Sequence, residues 1–331
     1  MNYHFLLCSE RSGSNFTTKL FNAHPAICGP SPSHVIRAFA QNINNYGSIK
    51  KSKNWNILIS DIHDYLNFQL GTWKTKVSKE ELLQNISEKK LSSIIKYVYK
   101  KEAKANSKEN LFIKENRLYN YISYILCAFP EASFIYVVRD PRDVVLSFKK
   151  SHNNPFGVIR ATEIWKSDQL NSIQQYGYLK DEQRILMIKY EDLVSNTENE
   201  LKDACKFLGH KYSDKMLEFY KDDITQKNAE KMKEWSNLSK PVIKNNFNKY
   251  RKELKDYEIQ YIEYNCKKEM GFLGYELEYP EQRYNIDRIT TKLKKEGKKL
   301  KDKQNEVSKE ERELREKRLK IIDRILNRNL K

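Results

Sequence analysis

Hydrophobic positions along the chain follow a repeating grammar: a short apolar run ends on a charged or polar residue, and apolar residues at three- and four-residue spacing follow. The runs are Phe5–Cys8, Leu111–Ile113, Phe134–Val138 and Ile185–Ile188, read as strands. Helices are expected to begin near Ser14, Leu118, Arg142 and Asn196; Leu118, Ile122, Ile125, Leu126 and Phe129 illustrate the helical spacing. Strands alternating with helices predict an α/β domain with a parallel sheet flanked by helices. No internal repeat and no Pro/Gly/Ser-rich linker divides the chain before about Pro280, so residues 1–282 are read as one domain. Ligands of such sheets lie beyond the carboxyl ends of the strands, where this sequence puts Arg11, Lys114, Arg139 and Tyr190. Three cations at equivalent strand ends predict a polyanionic ligand. Between residues 37 and 110 the pattern gives way to Asn-, Lys- and Tyr-rich helix, with an amphipathic stretch through Leu82, Leu83, Ile86, Leu91, Ile94, Ile95 and Val98. This is read as a helical insertion covering the site, the expected home of acceptor specificity.

Charge sharpens the picture at one end. The 331 residues carry 61 Lys and Arg against 44 Asp and Glu, a net +17, and residues 283–331 hold 18 Lys and Arg against nine Asp and Glu, a net +9. In this basic tail Leu293, Leu300, Val307, Leu314 and Ile321 recur every seven residues with few partners at the other seam position, which predicts a long, mostly solvated helix. Its last turns set Leu319, Ile321, Ile322, Ile325 and Leu326 among Lys317, Arg318, Lys320, Arg324 and Arg328. That pattern suits an anionic membrane surface or a partner, as well as a helix whose charges keep it soluble. No apolar run approaches the roughly 20 residues needed to span a bilayer. Five cysteines, widely spaced and without a C-x-x-C pair, predict neither structural zinc nor a disulfide framework. A cytoplasmic protein, peripheral to a membrane through its tail, is the expectation.

Two loops carry the chemistry. In Cys8-Ser9-Glu10-Arg11-Ser12-Gly13-Ser14-Asn15-Phe16-Thr17-Thr18-Lys19 a strand runs through a turn at Gly13 into a helix whose free N–H groups make an anion cradle; the same residues also suit an ordinary capped helix. The second glycine and the Lys-Ser/Thr pair of a Walker A loop are missing, which disfavours ATP hydrolysis. In Val138-Arg139-Asp140-Pro141-Arg142 an Arg closes a strand, Asp140 caps and Pro141 fits the first helical turn, with Ser147 two turns on. Arg139 and Ser147 together suit a phosphate; alone, Arg139 suits a pair with Asp143. Lys189-Tyr190-Glu191-Asp192-Leu193-Val194 and Leu238-Ser239-Lys240-Pro241-Val242 complete the set.

Taken in order, these motifs resemble the sulfotransferase family that uses 3′-phosphoadenosine 5′-phosphosulfate (PAPS), over roughly residues 3 to 275 and nearest its tyrosylprotein and carbohydrate branch. Arg11-Ser12-Gly13-Ser14 resembles the family's 5′-phosphosulfate loop, and Val138-Arg139-Asp140-Pro141-Arg142 with Ser147 its 3′-phosphate motif. Ile113-Lys114-Glu115-Asn116, Tyr190-Glu191-Asp192-Leu193 and Lys240-Pro241-Val242 resemble further landmarks. The resemblance implies a three-layer, P-loop-like α/β fold and metal-free transfer of a sulfuryl group to a hydroxyl or amine, leaving adenosine 3′,5′-bisphosphate. It implies that Arg11, Ser12, Gly13, Ser14 and Asn15 hold the 5′-phosphosulfate, that Arg139 and Ser147 hold the 3′-phosphate, and that Tyr190 and Lys240 lie near the nucleotide. Arg11 and Lys114 would stabilise charge that develops during transfer.

One departure concerns the base. The tyrosylprotein branch has an acidic pair where this chain reads Cys28-Gly29-Pro30-Ser31-Pro32-Ser33-His34, without a carboxylate. A neutral imidazole suits the role near pH 7, so His34 is the expected base, with Asp61 and Asp64 as substitutes. A carbohydrate or lipid-linked glycan is the expected acceptor. The alternatives are a non-catalytic nucleotide or nucleic-acid binder and a P-loop small-molecule kinase; no zinc finger, RNA-recognition sequence or helix-turn-helix supports nucleic acid.

Overall fold

The structure, a computed structural model, describes residues 1–151, 156–231, 233–280, 284–301 and 309–331. Five parallel strands, β1 (Tyr3–Cys8), β2 (Ile27–Cys28), β3 (Asn110–Lys114), β4 (Ser133–Val138) and β5 (Ile185–Lys189), form one sheet in the order β2-β3-β1-β4-β5. The four expected strands are all present. β2 escaped the pattern because its two residues are too short a run to show a period.

Side chains alternate across each strand, and both faces are apolar. Phe5 and Leu7 of β1, Leu111 and Ile113 of β3, and Phe134, Tyr136 and Val138 of β4 enter one core. Leu6 and Cys8, Phe112, and Ile135 and Val137 enter the other. A sheet covered on both sides explains why the strands read as continuous apolar runs. Register brings the strand ends level: Leu6 pairs with Lys114, Cys8 with Val137, and Val138 with Lys189. The loops after β1, β3, β4 and β5 therefore open on one edge.

The helices begin close to the expected places, at Ser14 and Pro141, with a 3-10 turn Leu118–Tyr121 before Ile122–Ala128. After β5 the helix starts at once, Tyr190–Ser195, before Thr197–Phe207. Within residues 37–110 lie the helices Ser52–Asn67, Lys79–Asn85 and Leu91–Ala105; Leu82, Ile86, Leu91, Ile94, Ile95 and Val98 are buried, while Leu83 is exposed.

The tail differs from the solvated helix expected. It forms two helices, Ile286–Lys301 and Lys309–Leu326, both packed on the domain. Ile289 and Leu293 of the first are buried. In the second, Ile321 and Ile325, expected to face a membrane or a partner, are buried with the helix Ser52–Asn67 against them. Leu330 N donates to Asn45 O. Apolar spacing identifies a buried face but not what buries it. Val307 and the junction at residues 282 and 283 lie outside the described residues. Among those described, no helix is long and apolar enough to cross a membrane.

Candidate active site

The loop after β1 makes the first wall of a cleft of about 450 Å³ at the open edge of the sheet. Arg11 adopts a left-handed backbone (φ 67°), a conformation that costs a residue with a side chain of order 1–3 kcal/mol and persists where its surroundings hold it. Gly13 follows at φ 82°, and a Cβ there would lie 2.3 Å from the Tyr190 ring, so glycine is required twice over. The helix Ser14–Ala23 then begins with its free N–H groups facing the loop.

Arg139, at the end of β4, is buried and stitches three segments together. Its Nη1 donates to Arg11 O (3.1 Å), its Nη2 donates to Asn246 O (3.0 Å), and its guanidinium lies 4.3 Å from the Tyr190 ring centre. Asn246 Nδ2 donates to the Tyr190 hydroxyl (2.7 Å), and Trp165 Nε1 donates to Arg139 O (3.0 Å). The pair with Asp143 that the sequence also allowed does not form. Asp143 instead accepts from the backbone N–H groups of Asn248 (2.6 Å) and Tyr250 (3.1 Å), which draws residues 246–250 over the cleft. Arg142 is committed elsewhere, to Asp140 (2.6 and 2.9 Å) and Glu263 (2.6 Å), and fixes the Asp-Pro turn. Arg11 Nε donates to Ser147 Oγ (3.0 Å), joining the two phosphate motifs.

The last residue of β3, Lys114, and the residue that follows it, Glu115, have opposite uses. Lys114 Nζ donates to Asn15 Oδ1 (2.7 Å), and its burial lowers its pKa. Glu115, fully buried, brings Oε2 to 3.5 Å from His34 Nδ1 and accepts from Ile36 N (3.4 Å). Burial lowers the His34 pKa and Glu115 opposes that shift. His34, itself left-handed (φ 60°), lines the cleft, with its Nδ1 facing Glu115 Oε2 at 3.5 Å and neither atom in a hydrogen bond.

One cleft therefore gathers Arg11, Gly13, Ser14, Asn15, His34, Lys114, Arg139, Ser147 and Tyr190. Ser12 lies behind it, buried. Lys240 does not belong: it is exposed and outside the lining, and its segment instead contributes Asn246 and Lys249. Asp61 and Asp64 are also outside. Asp61, 1% exposed, accepts from the Tyr46 hydroxyl and pairs with Arg324 and Arg328, and Asp64 pairs with Arg324. Both carboxylates anchor the C-terminal helix. Sequence reasoning missed Glu115 as a partner of His34, whose signal was its place beside Lys114 at a strand end, and Arg315, which enters the lining from the C-terminal helix without any local signal.

The residues present fit a bisphosphorylated nucleotide. Arg139 Nε and Ser12 Oγ are buried without hydrogen-bond partners, leaving donors beside a helix N-terminus and an Arg–Ser pair. Among the described residues no group of three or more His, Cys, Asp or Glu is placed to hold a metal ion.

No curated protein matches the chain by sequence. Among solved structures it is similar to the sulfotransferase domain of the Synechococcus PCC 7002 olefin synthase, at 20% identity and a TM-score of 0.54, covering 84% of this chain and 96% of that one. It is similar also to the sulfotransferase domain from the curacin biosynthetic pathway, at 18% identity and a TM-score of 0.54, covering 83% and 98%. At these identities the likeness speaks for the fold, and the sequence profile of the Sulfotransferase family matches residues 4–214. With that match spanning both loops and the strands that level them, the chain belongs to the sulfotransferase family.

Proposed function

We propose that this enzyme sulfates a hydroxyl of a carbohydrate or glycolipid, with His34 as the general base. The observation that carries the chemistry is the His34–Glu115 pair, with Nδ1 held 3.5 Å from a fully buried carboxylate at the mouth of the donor cleft. A carboxylate beside one ring nitrogen favours the proton on that side, and in this reading the other nitrogen is the acceptor. In this reading His34 Nε2 takes the acceptor's proton as the acceptor oxygen bonds to sulfur in line with the bridging oxygen. The bond from sulfur to that oxygen breaks, and adenosine 3′,5′-bisphosphate leaves with the electron pair. Lys114 and Arg11 meet the negative charge that grows on the bridging oxygen, and being already fixed by Asn15 and Ser147 they need little reorganisation. Arg139 and Ser147 hold the 3′-phosphate; Gly13, Ser14 and Asn15 hold the 5′ end, with Ser12 behind them.

The acceptor class rests on the polar lining of the same cleft, where Glu234, Asn237 and Lys249 stand with Trp235, a side chain suited to the face of a sugar. The test is a screen with sulfur-labelled PAPS against glycans, glycolipids and small phenols. Label on a glycan or glycolipid is expected; label confined to simple phenols would reassign the acceptor.

A further inference from the structure

Arg318 is an oddity of the C-terminal helix. It sits in the most basic part of the chain, yet it is 7% exposed and makes no ion pair with a carboxylate among the described residues. Its Nη2 donates to Ser33 O (2.5 Å), its Nη1 donates to Phe68 O (3.1 Å) and Tyr65 O (3.4 Å), and its guanidinium lies 3.9 Å from the centre of the Tyr65 ring. Two of these carbonyls end the helix Ser52–Asn67, where a cation is favoured. The third belongs to the residue immediately before His34.

The peptide that carries His34 is thus gripped from behind at both of its carbonyls. Arg318 holds Ser33 O, and the Tyr65 hydroxyl donates to His34 O (3.3 Å). Ser33 Oγ bonds the Tyr99 hydroxyl (2.9 Å), and Trp73 Nε1 donates to Ser31 O (2.7 Å). His34 is left-handed in backbone, a state an L-residue keeps only when its neighbours hold it. Arg315, one turn before Arg318, lines the cleft while its guanidinium pairs with Glu311 (2.6 Å). The helix is therefore at the mouth of the site as well as behind its loop.

We propose that Arg318 is a positioning residue for His34, and that the helix Lys309–Leu326 is for this reason a working part of the acceptor half of the cleft. This rests on the reading of His34 as base. The charged groups that face His34 are Lys114 at the end of β3, Glu115 just after it and Arg318 from the C-terminal helix, with the Tyr65 hydroxyl on its carbonyl; burial lowers its pKa, Glu115 opposes that, and Arg318 and Lys114 add to it. Removing the guanidinium therefore acts on both the geometry and the titration of the imidazole.

The experiment compares the full chain with Arg318→Met, Arg318→Lys and His34→Ala. Binding of adenosine 3′,5′-bisphosphate, transfer from PAPS to 2-naphthol as surrogate acceptor, and the NMR titration of the His34 ring, assigned by its loss in His34→Ala, are measured on each. The expected result is nucleotide binding within twofold of wild type throughout. Arg318→Met should lower kcat at least tenfold at unchanged donor KM and move the His34 titration to higher pH; Arg318→Lys, which keeps the charge but not the fork, should fall between. If Arg318→Met leaves both kcat and the titration within twofold and unmoved, or if both Arg318 variants lose nucleotide binding, the inference is overturned. If Arg318→Met does not fold, Arg318→Lys decides by the same two readouts. His34→Ala at wild-type rate would overturn the base alone, because the NMR titration still reports whether Arg318 holds the loop.

Discussion

Removing the C-terminal helix, by ending the chain at residue 308, separates a helix that belongs to the fold from one that is merely soluble. Its buried apolar side chains are Ile321 and Ile325, with Ile322 and Leu330 packed partly buried beside them. Burying an isoleucine side chain stabilises by about 1.5–3 kcal/mol, so the pair contributes about 3–6 kcal/mol. Asp61, 1% exposed, also loses Arg324 and Arg328, so that figure is a lower bound. A chain of this length has an unfolding entropy of about 0.7 kcal/mol per kelvin, which converts the loss into a fall in Tm of about 4–9 °C. Calorimetry on the full and shortened chains reads it directly. Ile325→Asp should produce a comparable fall, whereas Leu319→Asp, on the same helix but 57% exposed, should leave Tm within about 1 °C. A shortened chain that melts with the full one would refute the packing and restore the solvated tail.

Other consequences concern the site and its pH dependence. Arg139→Ala should weaken adenosine 3′,5′-bisphosphate by about 1.5–3 kcal/mol, roughly 10- to 150-fold by titration calorimetry, and leave adenosine 5′-phosphosulfate, which lacks the 3′-phosphate, within threefold; equal losses for both ligands would displace the 3′-phosphate from Arg139. His34→Ala should lower kcat by about 10² to 10⁴ with nucleotide binding retained. Because burial lowers the His34 pKa against the pull of Glu115, the rate should rise with pH through a limb below the ordinary histidine value, and Glu115→Gln should move that limb to lower pH; a limb that stays put would sever the pair. Away from the site, burial and the neighbouring His210 push His4 down to about 3. The unfolded chain then binds the extra proton between about pH 6.5 and 3, so stability is lost as the pH is lowered through that window, by up to about 1.4 kcal/mol per unit, and urea melts of His4→Gln should show a shallower loss than wild type.

Much of the site was legible because its chemistry sits at strand ends. A run such as Phe134–Val138, apolar on both faces, announces a buried parallel strand, and the polar residue that closes it is placed by topology at the ligand edge. Arg11, Lys114, Arg139 and Tyr190 were found in this way, and all four line the cleft. What sequence could not supply were contacts set by long-range packing. Asp61 and Asp64 had the right chemistry for a base, but they lie on the helix Ser52–Asn67, where Arg324 and Arg328 take them up from more than 250 positions along the chain. Lys240 stood in a recognisable motif, yet Asp143 pulls the chain inward only at Asn248 and Tyr250, so Asn246 and Lys249 reach the cleft in its place. The heptad spacing of the tail was present in the sequence, but a single apolar seam reads the same whether it faces solvent, a membrane or the domain itself.

The central claim is that the cleft at the strand ends is a PAPS site, and the most direct measurement compares two isomers of its product. Adenosine 3′,5′-bisphosphate and adenosine 5′-diphosphate have the same atoms and nearly the same charge, and differ in whether the second phosphate can reach Arg139 and Ser147. Titration calorimetry should find the 3′,5′-isomer bound at least tenfold more tightly, without added metal, since one charge-assisted phosphate contact is worth about 1.5 kcal/mol or more. Equal affinity for the two isomers, or tighter binding of the 5′-diphosphate, would contradict the account.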